Sequence, residues 1–180
     1  LRQVKRCIRV RIAAGFTALE AGSVRTKNVT EILTKNVALF SVASIAFLFC
    51  GYGLMYGWNE PKSHSMYADF FFQMVFVATA MSVVSGAVAE RKKLWSFLIF
   101  SAAFAAVIYP LEGAWTWGGG FLSGLGFVDF AGSGIVHMAG ASAALAAVLL
   151  IGPRDGKYDK NGKPKNIPGN NMPLVALGTL

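Results

Sequence analysis

Four long runs without a charged residue constrain this chain more than any other feature of its sequence. They cover residues 37–58, 70–89, 94–111 and 130–152, and each is rich in Phe, Ala, Val, Leu and Ile. A helix needs about 20 apolar residues to cross the hydrocarbon core of a bilayer. The runs do not alternate polar and apolar residues as the strands of a membrane barrel would. The sequence therefore predicts an all-α polytopic membrane protein.

Composition supports a chain that lies in the lipid bilayer. Charged residues make up 14% of the 180 residues and hydrophobic residues 54%, whereas a soluble domain carries about a quarter charged residues. The net charge of +8 falls in short clusters between the apolar runs. Because these clusters form no continuous basic face, we expect no nucleic-acid partner.

The basic clusters also predict an orientation. Lys and Arg accumulate in cytoplasmic loops. We therefore place the loop with Arg25, Lys27 and Lys35, the loop 91–93 and the loop 154–165 on the cytoplasmic side. The loops on the opposite side are poor in basic residues and hold Glu60, Lys62, Asp69, Glu112 and Asp129.

Two further segments have the character of partial helices. Residues 12–24 resemble the second half of a spanning helix, and residues 172–180 resemble the start of another. The basic stretch 1–14 would then lie outside, against the charge rule. We interpret residues 1–14 as an atypical start that is non-native or truncated, and residues 15–180 as a partial membrane domain.

Motifs of common enzymes are absent from the sequence. The nucleotide-binding GxxxxGK[ST], the zinc-binding HExxH and the nucleophile-bearing GxSxG patterns do not occur. We therefore expect no enzyme activity, no cofactor and no metal site. A membrane enzyme using His137 would lack a partner nucleophile.

His137 is the only Asp, Glu, Lys, Arg or His in the four runs. Such a residue inside a membrane suggests function by default. Its helical neighbours are small, and they permit two interpretations: close helix packing around a structural histidine, or a narrow hydrated path beside the imidazole. The neighbours are Ser133, Gly134, Gly140, Ala141 and Ala144.

The segment 112–129 is unusually rich in aromatic residues and glycine. Trp115, Trp117, Phe121 and Phe127 lie among Gly118, Gly119, Gly120, Gly124 and Gly126. These rings could anchor the chain at the membrane interface, or they could form an aromatic cage for a cation.

Asp129 directly precedes the fourth run, where its carboxylate can cap the free amides of the helix. It could also favour a cation at the mouth of a pore. Phe76 belongs to a phenylalanine cluster whose spacing is typical of lipid contact or core filling.

Several strings resemble the ammonium transporter family from about Gly15 to Leu180. The most specific are SGAVAERKK at 85–93 and DFAGSGIVH at 129–137, and they are joined by FFFQMVFVATA at 70–80, WTWGGG at 115–120 and IGPRDG at 151–156. The resemblance implies an eleven-helix fold built from two inverted repeats, of which this chain matches the first half. It further implies a homotrimer in the cell (inner or plasma) membrane.

Residue roles follow from the same resemblance. Trp117 matches an outer aromatic site that recruits ammonium, Phe76 one of two gate phenylalanines, and His137 the first of two pore histidines. Asp129 matches a buried carboxylate that supports the site. The implied function is ammonium or ammonia transport, with a PII-type regulator on the cytoplasmic side. The alternatives are an ammonium-sensing domain of a signalling protein and a non-functional fragment of a transporter.

Overall fold

The computed structural model describes residues 2–57 and 64–180, with side chains described from residue 12 onward. Glu60 and Lys62 of the predicted outer loop, and the basic side chains of residues 2–11, lie outside this description. The described residues form helices and loops without a β-strand, apart from one isolated bridge between Tyr158 and Pro164.

The helices follow the predicted order. They are α1 (Arg2–Ser23), α2 (Val29–Ala46), α3 (Tyr52–Tyr56), α4 (Met66–Ala87), α5 (Leu94–Ala103), α6 (Tyr109–Thr116), α7 (Phe121–Gly124), α8 (Ala139–Ile151) and α9 (Met172–Thr179). A 3₁₀ turn, Thr26–Asn28, precedes α2, and three π-helical segments continue the helix axes: Phe47–Gly51 between α2 and α3, Phe104–Ile108 between α5 and α6, and Ser133–Met138 before α8.

Among the described residues, four helical stretches are long and apolar enough to cross a membrane, as the sequence predicted. They are Thr26–Tyr56, Met66–Ala87, Leu94–Gly124 and Ser133–Ile151. Two of them extend well beyond the neutral runs. The first begins eleven residues earlier than residue 37 and the third ends thirteen residues later than residue 111. Helical hydrogen bonding thus continues through positions that charge alone had assigned to loops.

Helix α4 lies at the centre of the bundle and packs against α1, α2 and α8. It is apolar around its whole circumference, which is typical of a fully buried helix. The surrounding core is formed by large aromatic and apolar side chains, each no more than 2% exposed: Phe47, Tyr52, Met81, Phe97, Phe104 and Tyr109. Side chains of α4 therefore line both of the cavities described below.

Lys35 lies inside α2 and is buried, so its predicted place in a cytoplasmic loop is wrong. Its Nζ lies 3.3 Å from Oε2 of Glu20 on α1 and donates to the carbonyl oxygen of Ser85 on α4. The same Glu20 oxygen accepts hydrogen bonds from Asn36 Nδ2 and Ser85 Oγ, at 2.9 and 3.0 Å. A charge pair with these partners can be buried at lower cost than either charge alone.

Helix α9 covers the segment 172–180 in which the sequence predicted the start of a helix, and it packs along α1. Asn171 accepts a hydrogen bond from the amide of Leu174 at 3.0 Å and so caps its first turn. Glycines permit the close contact: a Cβ on Gly22 would lie 2.6 Å from the carbonyl oxygen of Asn171.

Glu90 connects three loops on the predicted cytoplasmic side. Its backbone is left-handed, with φ of 62°, and its side chain is fully buried. The carboxylate accepts hydrogen bonds from the Arg25 amide at 2.8 Å and Asn28 Nδ2 at 2.6 Å, and Arg154 Nη1 lies 3.6 Å away. Burial raises the pKa of Glu90, but the hydrogen bonds from Arg25 and Asn28 outweigh it and lower the pKa overall. The glutamate is therefore held as a carboxylate.

Candidate functional site

A cavity of about 950 Å³ brings together three of the four predicted site residues. Trp117, Phe76 and His137 all line it. They come from the end of α6, the middle of α4 and the π-helical segment before α8. Residues far apart in the sequence thus converge on one space, which ordinary core packing would not require.

Trp117 is held at this cavity by its indole nitrogen. Nε1 donates a hydrogen bond of 2.6 Å to the main-chain oxygen of Asp129. The ring lies 5.7 Å from the Phe76 ring, centroid to centroid, at an angle of 59°. Since the only polar group of the indole is already bonded, the ring can offer a ligand only its π-electron surface.

Asp129 is buried beneath the cavity and does not line it. Its Oδ1 accepts hydrogen bonds from the amides of Gly132 and Ser133, and its Oδ2 accepts from those of Gly134 and Ile135, all between 2.8 and 3.0 Å. The carboxylate therefore caps the start of the segment that carries His137, which agrees with the capping interpretation.

The charge of Asp129 is stabilised in this cradle. Burial raises the pKa of the carboxyl group, but the hydrogen bonds from the four amides lower it by more, so the pKa lies below its ordinary value. The carboxylate thus stays ionised near the cavity. Its oxygens are occupied by amides, so its influence on a cation in the cavity is electrostatic rather than direct.

Gly132 allows this cradle to form. Its φ of 88° lies in the left-handed region, and a Cβ there would lie 2.6 Å from Cγ2 of Val136 and 3.2 Å from the Trp117 ring. Any other residue would strain the turn and displace the indole.

His137 lies on the π-helical segment Ser133–Met138, and its side chain is exposed in the cavity. Single π-helical turns occur often at functional sites because they redirect side chains. One of the small neighbours permits close helix packing. A Cβ on Gly140 would lie 2.7 Å from the Ala80 carbonyl oxygen, so this glycine allows α8 to pack closely on α4, while the imidazole itself remains open to the cavity.

The aromatic segment 112–129 is divided by the structure. Trp115 pairs with Phe121 at 5.4 Å, away from the cavity, and only Trp117 from this segment lines it. The second ring of the site comes instead from Phe76 on α4. Residues 112–116 and 121–124 of the segment are helical. Glu112 lies within α6, so its placement in an outer loop is wrong.

Sequence reasoning missed several residues that line the cavity. Gln73 and Thr79 lie three positions on either side of Phe76, on the same face of α4, and both are buried. Helical periodicity around Phe76 would have found them. Asp69 lines the same cavity and accepts a hydrogen bond of 3.0 Å from the Tyr52 hydroxyl; no spacing in the sequence connects these two.

Comparison with known proteins identifies the family. The family described as "Ammonium Transporter Family" matches residues 7–180. The chain belongs to the ammonium transporter family. The match begins somewhat before Gly15, where the resemblance in the sequence begins.

Two archaeal members of the ammonium transporter family illustrate the relationship. Ammonium transporter Amt2 of Archaeoglobus fulgidus is 46% identical over 190 residues, covering 92% of this chain and 41% of that protein. Ammonium transporter Amt2 of Haloferax mediterranei is 41% identical, covering 93% of this chain and 41% of that protein. The chain thus spans about two fifths of the length of these curated relatives.

Solved structures of the ammonium transporter family share the fold. A structure described as "Sensor Amt Protein" superposes with a TM-score of 0.91 at 35% identity, covering 97% of this chain and 49% of that one. A variant of Candida albicans Mep2 superposes with a TM-score of 0.81 at 25% identity, covering 97% of this chain and 43% of that one. The predicted fold, the first half of an ammonium transporter, is confirmed, and with it a multi-pass membrane protein that is not an enzyme.

Proposed function

We propose that this chain contributes one wall of a transmembrane path for ammonium or ammonia, with Trp117 at the entrance, Phe76 behind it and His137 deeper inside. The observation that carries the proposal is the convergence of these three side chains on one cavity. Asp129 acts as the positioning residue. It holds Trp117 through its main-chain oxygen and the His137 segment through its carboxylate.

Recruitment at Trp117 rests on cation–π attraction. The electron-rich face of an indole attracts a cation by about 0.5–2 kcal/mol, depending on desolvation. The neighbouring Phe76 ring adds a second aromatic face 5.7 Å away. The ionised Asp129 adds long-range attraction without competing for direct contact, because its oxygens are bound to amides.

To pass Phe76, ammonium must either lose its proton or have the cost of its desolvation offset by the path. A bare cation in an apolar path is costly. A neutral imidazole at His137 can accept the proton of ammonium, which leaves neutral ammonia and an imidazolium that must pass its proton on. The histidine therefore lowers the free-energy barrier to permeation. The nitrogen and the proton of ammonium can then cross either together or separately.

A chimera tests this proposal. Residues 7–180 would replace the matched part of Amt2 from Archaeoglobus fulgidus, so that the remaining part of the relative completes the protein. We expect the chimera to restore growth of an ammonium-transporter-deficient host on limiting ammonium. A chimera that inserts in the membrane at normal levels but gives no ammonium uptake would contradict the proposal.

A sensor is the second candidate function, and the similarity to "Sensor Amt Protein" at a TM-score of 0.91 favours it. The same cavity would then bind ammonium and transmit occupancy to a signalling module. A transporter moves its substrate across the membrane, whereas a sensor needs only to bind it. A chimera that binds ammonium without uptake of labelled methylammonium would support the sensor.

We also propose a homotrimer and a PII-type regulator on the cytoplasmic side. Both rest on family membership. Chemical cross-linking of the chimera in membranes should give a trimer, and a monomeric product would contradict the assembly.

A further inference from the structure

A second cavity, of about 540 Å³, lies between α4, the α5–α6 helix and α8. Most of its wall is apolar. Phe100 and Phe104 contribute rings from α5 and the following turn, and Ala143 and Ala147 contribute methyl groups from α8. Its volume is within the range of small-molecule sites. Trp117, Phe76 and His137 do not line it, so the proposed transport path does not account for it.

Two residues that line this cavity each carry a buried polar atom without a partner among the described residues. These atoms are the Tyr109 hydroxyl and Oε2 of Glu112. The two residues are three positions apart on α6 and therefore share one helix face. Buried polar groups are almost always bonded, so two such atoms on residues that line one cavity leave room for a hydrogen-bond donor supplied by a ligand.

The Glu112 carboxyl group also has no cationic partner in the part of the chain that the structure describes. Lys92 lines the same cavity but lies twenty residues earlier in the sequence, before the start of α5. The polar end of the cavity therefore carries an acidic group without a counterion, and the remainder of the cavity is apolar.

We propose that this groove, which we call the Glu112 groove, binds an organic ammonium ion that carries an alkyl chain. The ammonium group would donate hydrogen bonds to the Glu112 carboxylate and the Tyr109 hydroxyl, and the alkyl chain would pack on Phe104, Ala143 and Ala147. Charge complementarity selects the cation, and the apolar wall selects the chain over ammonium itself. The site is separate from the proposed transport path and does not depend on it.

The test uses n-hexylammonium as the probe and n-hexanol as its neutral match. Binding would be measured by isothermal titration on the purified chain in lipid nanodiscs and on the chimera with Archaeoglobus fulgidus Amt2. We expect n-hexylammonium to bind and n-hexanol to bind at least about tenfold more weakly, because the alcohol forms no charge pair.

Substitutions then show which residues bind n-hexylammonium. Glu112→Gln should weaken n-hexylammonium binding about tenfold or more, Tyr109→Phe should weaken it less, and Glu31→Gln, at an exposed glutamate on α2, should leave it unchanged. Trp117→Leu should also leave it unchanged, which separates this site from the transport path.

Three results would overturn the proposal. The first is equal binding of n-hexylammonium and n-hexanol, which would reduce the groove to an apolar surface that takes lipid tails. The second is full affinity in Glu112→Gln. The third is binding by the purified chain but not by the chimera, which would show that another part of the complete transporter covers the groove.

Discussion

Trp117 and Asp129 are joined by a hydrogen bond of 2.6 Å from the indole nitrogen to the main-chain oxygen. The carboxylate of the same aspartate accepts four amide hydrogen bonds at the start of the segment that carries His137. One residue thus sets the positions of both the aromatic ring and the imidazole. A change at Asp129 should therefore alter the site without removing a group that contacts the substrate.

Trp117→Leu in the chimera should weaken the apparent affinity for ammonium by up to about tenfold, because the cation–π attraction is lost. Uptake of labelled methylammonium at limiting concentration measures this effect. Trp115→Leu is the matched control, since Trp115 pairs with Phe121 away from the cavity. Equal affinities in the two variants would leave Trp117 as a membrane anchor.

His137→Ala in the chimera should abolish uptake or change its selectivity, because no group would remain at this position to accept a proton. Assembly and membrane insertion should stay near normal, since the imidazole is exposed in the cavity rather than packed. Leu145→Ala, at an exposed position on α8, controls for the loss of side-chain volume. Poor assembly combined with normal transport by the assembled fraction would make His137 a structural residue.

Asp129→Asn should destabilise the chain by about 1–3 kcal/mol at neutral pH, because the amide NH₂ group faces backbone donors and leaves some of them unpaired. The cradle lowers the pKa of Asp129, so its stabilisation is complete above the unfolded pKa of about 3.9 and is lost as pH falls through the lower folded pKa. The difference in Tm between wild type and variant should therefore shrink below about pH 4.

Asp155→Asn, at an exposed aspartate, is the control for this experiment and should leave Tm unchanged at every pH. A difference in Tm between wild type and Asp129→Asn that does not change with pH would mean that the charge of Asp129 contributes nothing to the cradle.

Lys35→Met should destabilise the bundle by about 3–5 kcal/mol, because it leaves the buried Glu20 carboxylate without its counterion. The double variant Glu20→Gln with Lys35→Met should recover much of this loss. Thermal unfolding of the wild type, the Lys35→Met variant, the Glu20→Gln variant and the double variant in detergent measures the coupling. Additive effects of the two substitutions would show that the ion pair contributes no net stability.

The sequence predicted the number and order of the spanning helices because apolar runs alone determine what can cross a bilayer. It failed where a charged residue lies inside a helix. Lys35 was assigned to a loop because its partner, Glu20, lies on another helix and the pairing is invisible in the local sequence. Glu112 was misplaced because a charged residue was taken as the end of the span.

The site, like the helices, was predicted in part. The resemblance to the family gave Trp117, Phe76 and His137, and the structure places all three on one cavity. It did not predict that Trp115 points away from the cavity. Trp115 pairs with Phe121 instead, because positions two residues apart on a helical turn face different directions. Their roles in transport stay predictions until the chimera is measured.

The glutamate shared by three loops has a practical consequence for anyone who wishes to attach a reporter to this protein. An inserted fluorescent domain at 25–28, at 90–93 or at 152–155 would pull on Glu90 and so disturb all three connections. The hairpin closed by the bridge between Tyr158 and Pro164 is different. Its tip at 160–162 is exposed and makes no hydrogen bond to Glu90, so a tag inserted there should report on the protein without reshaping it.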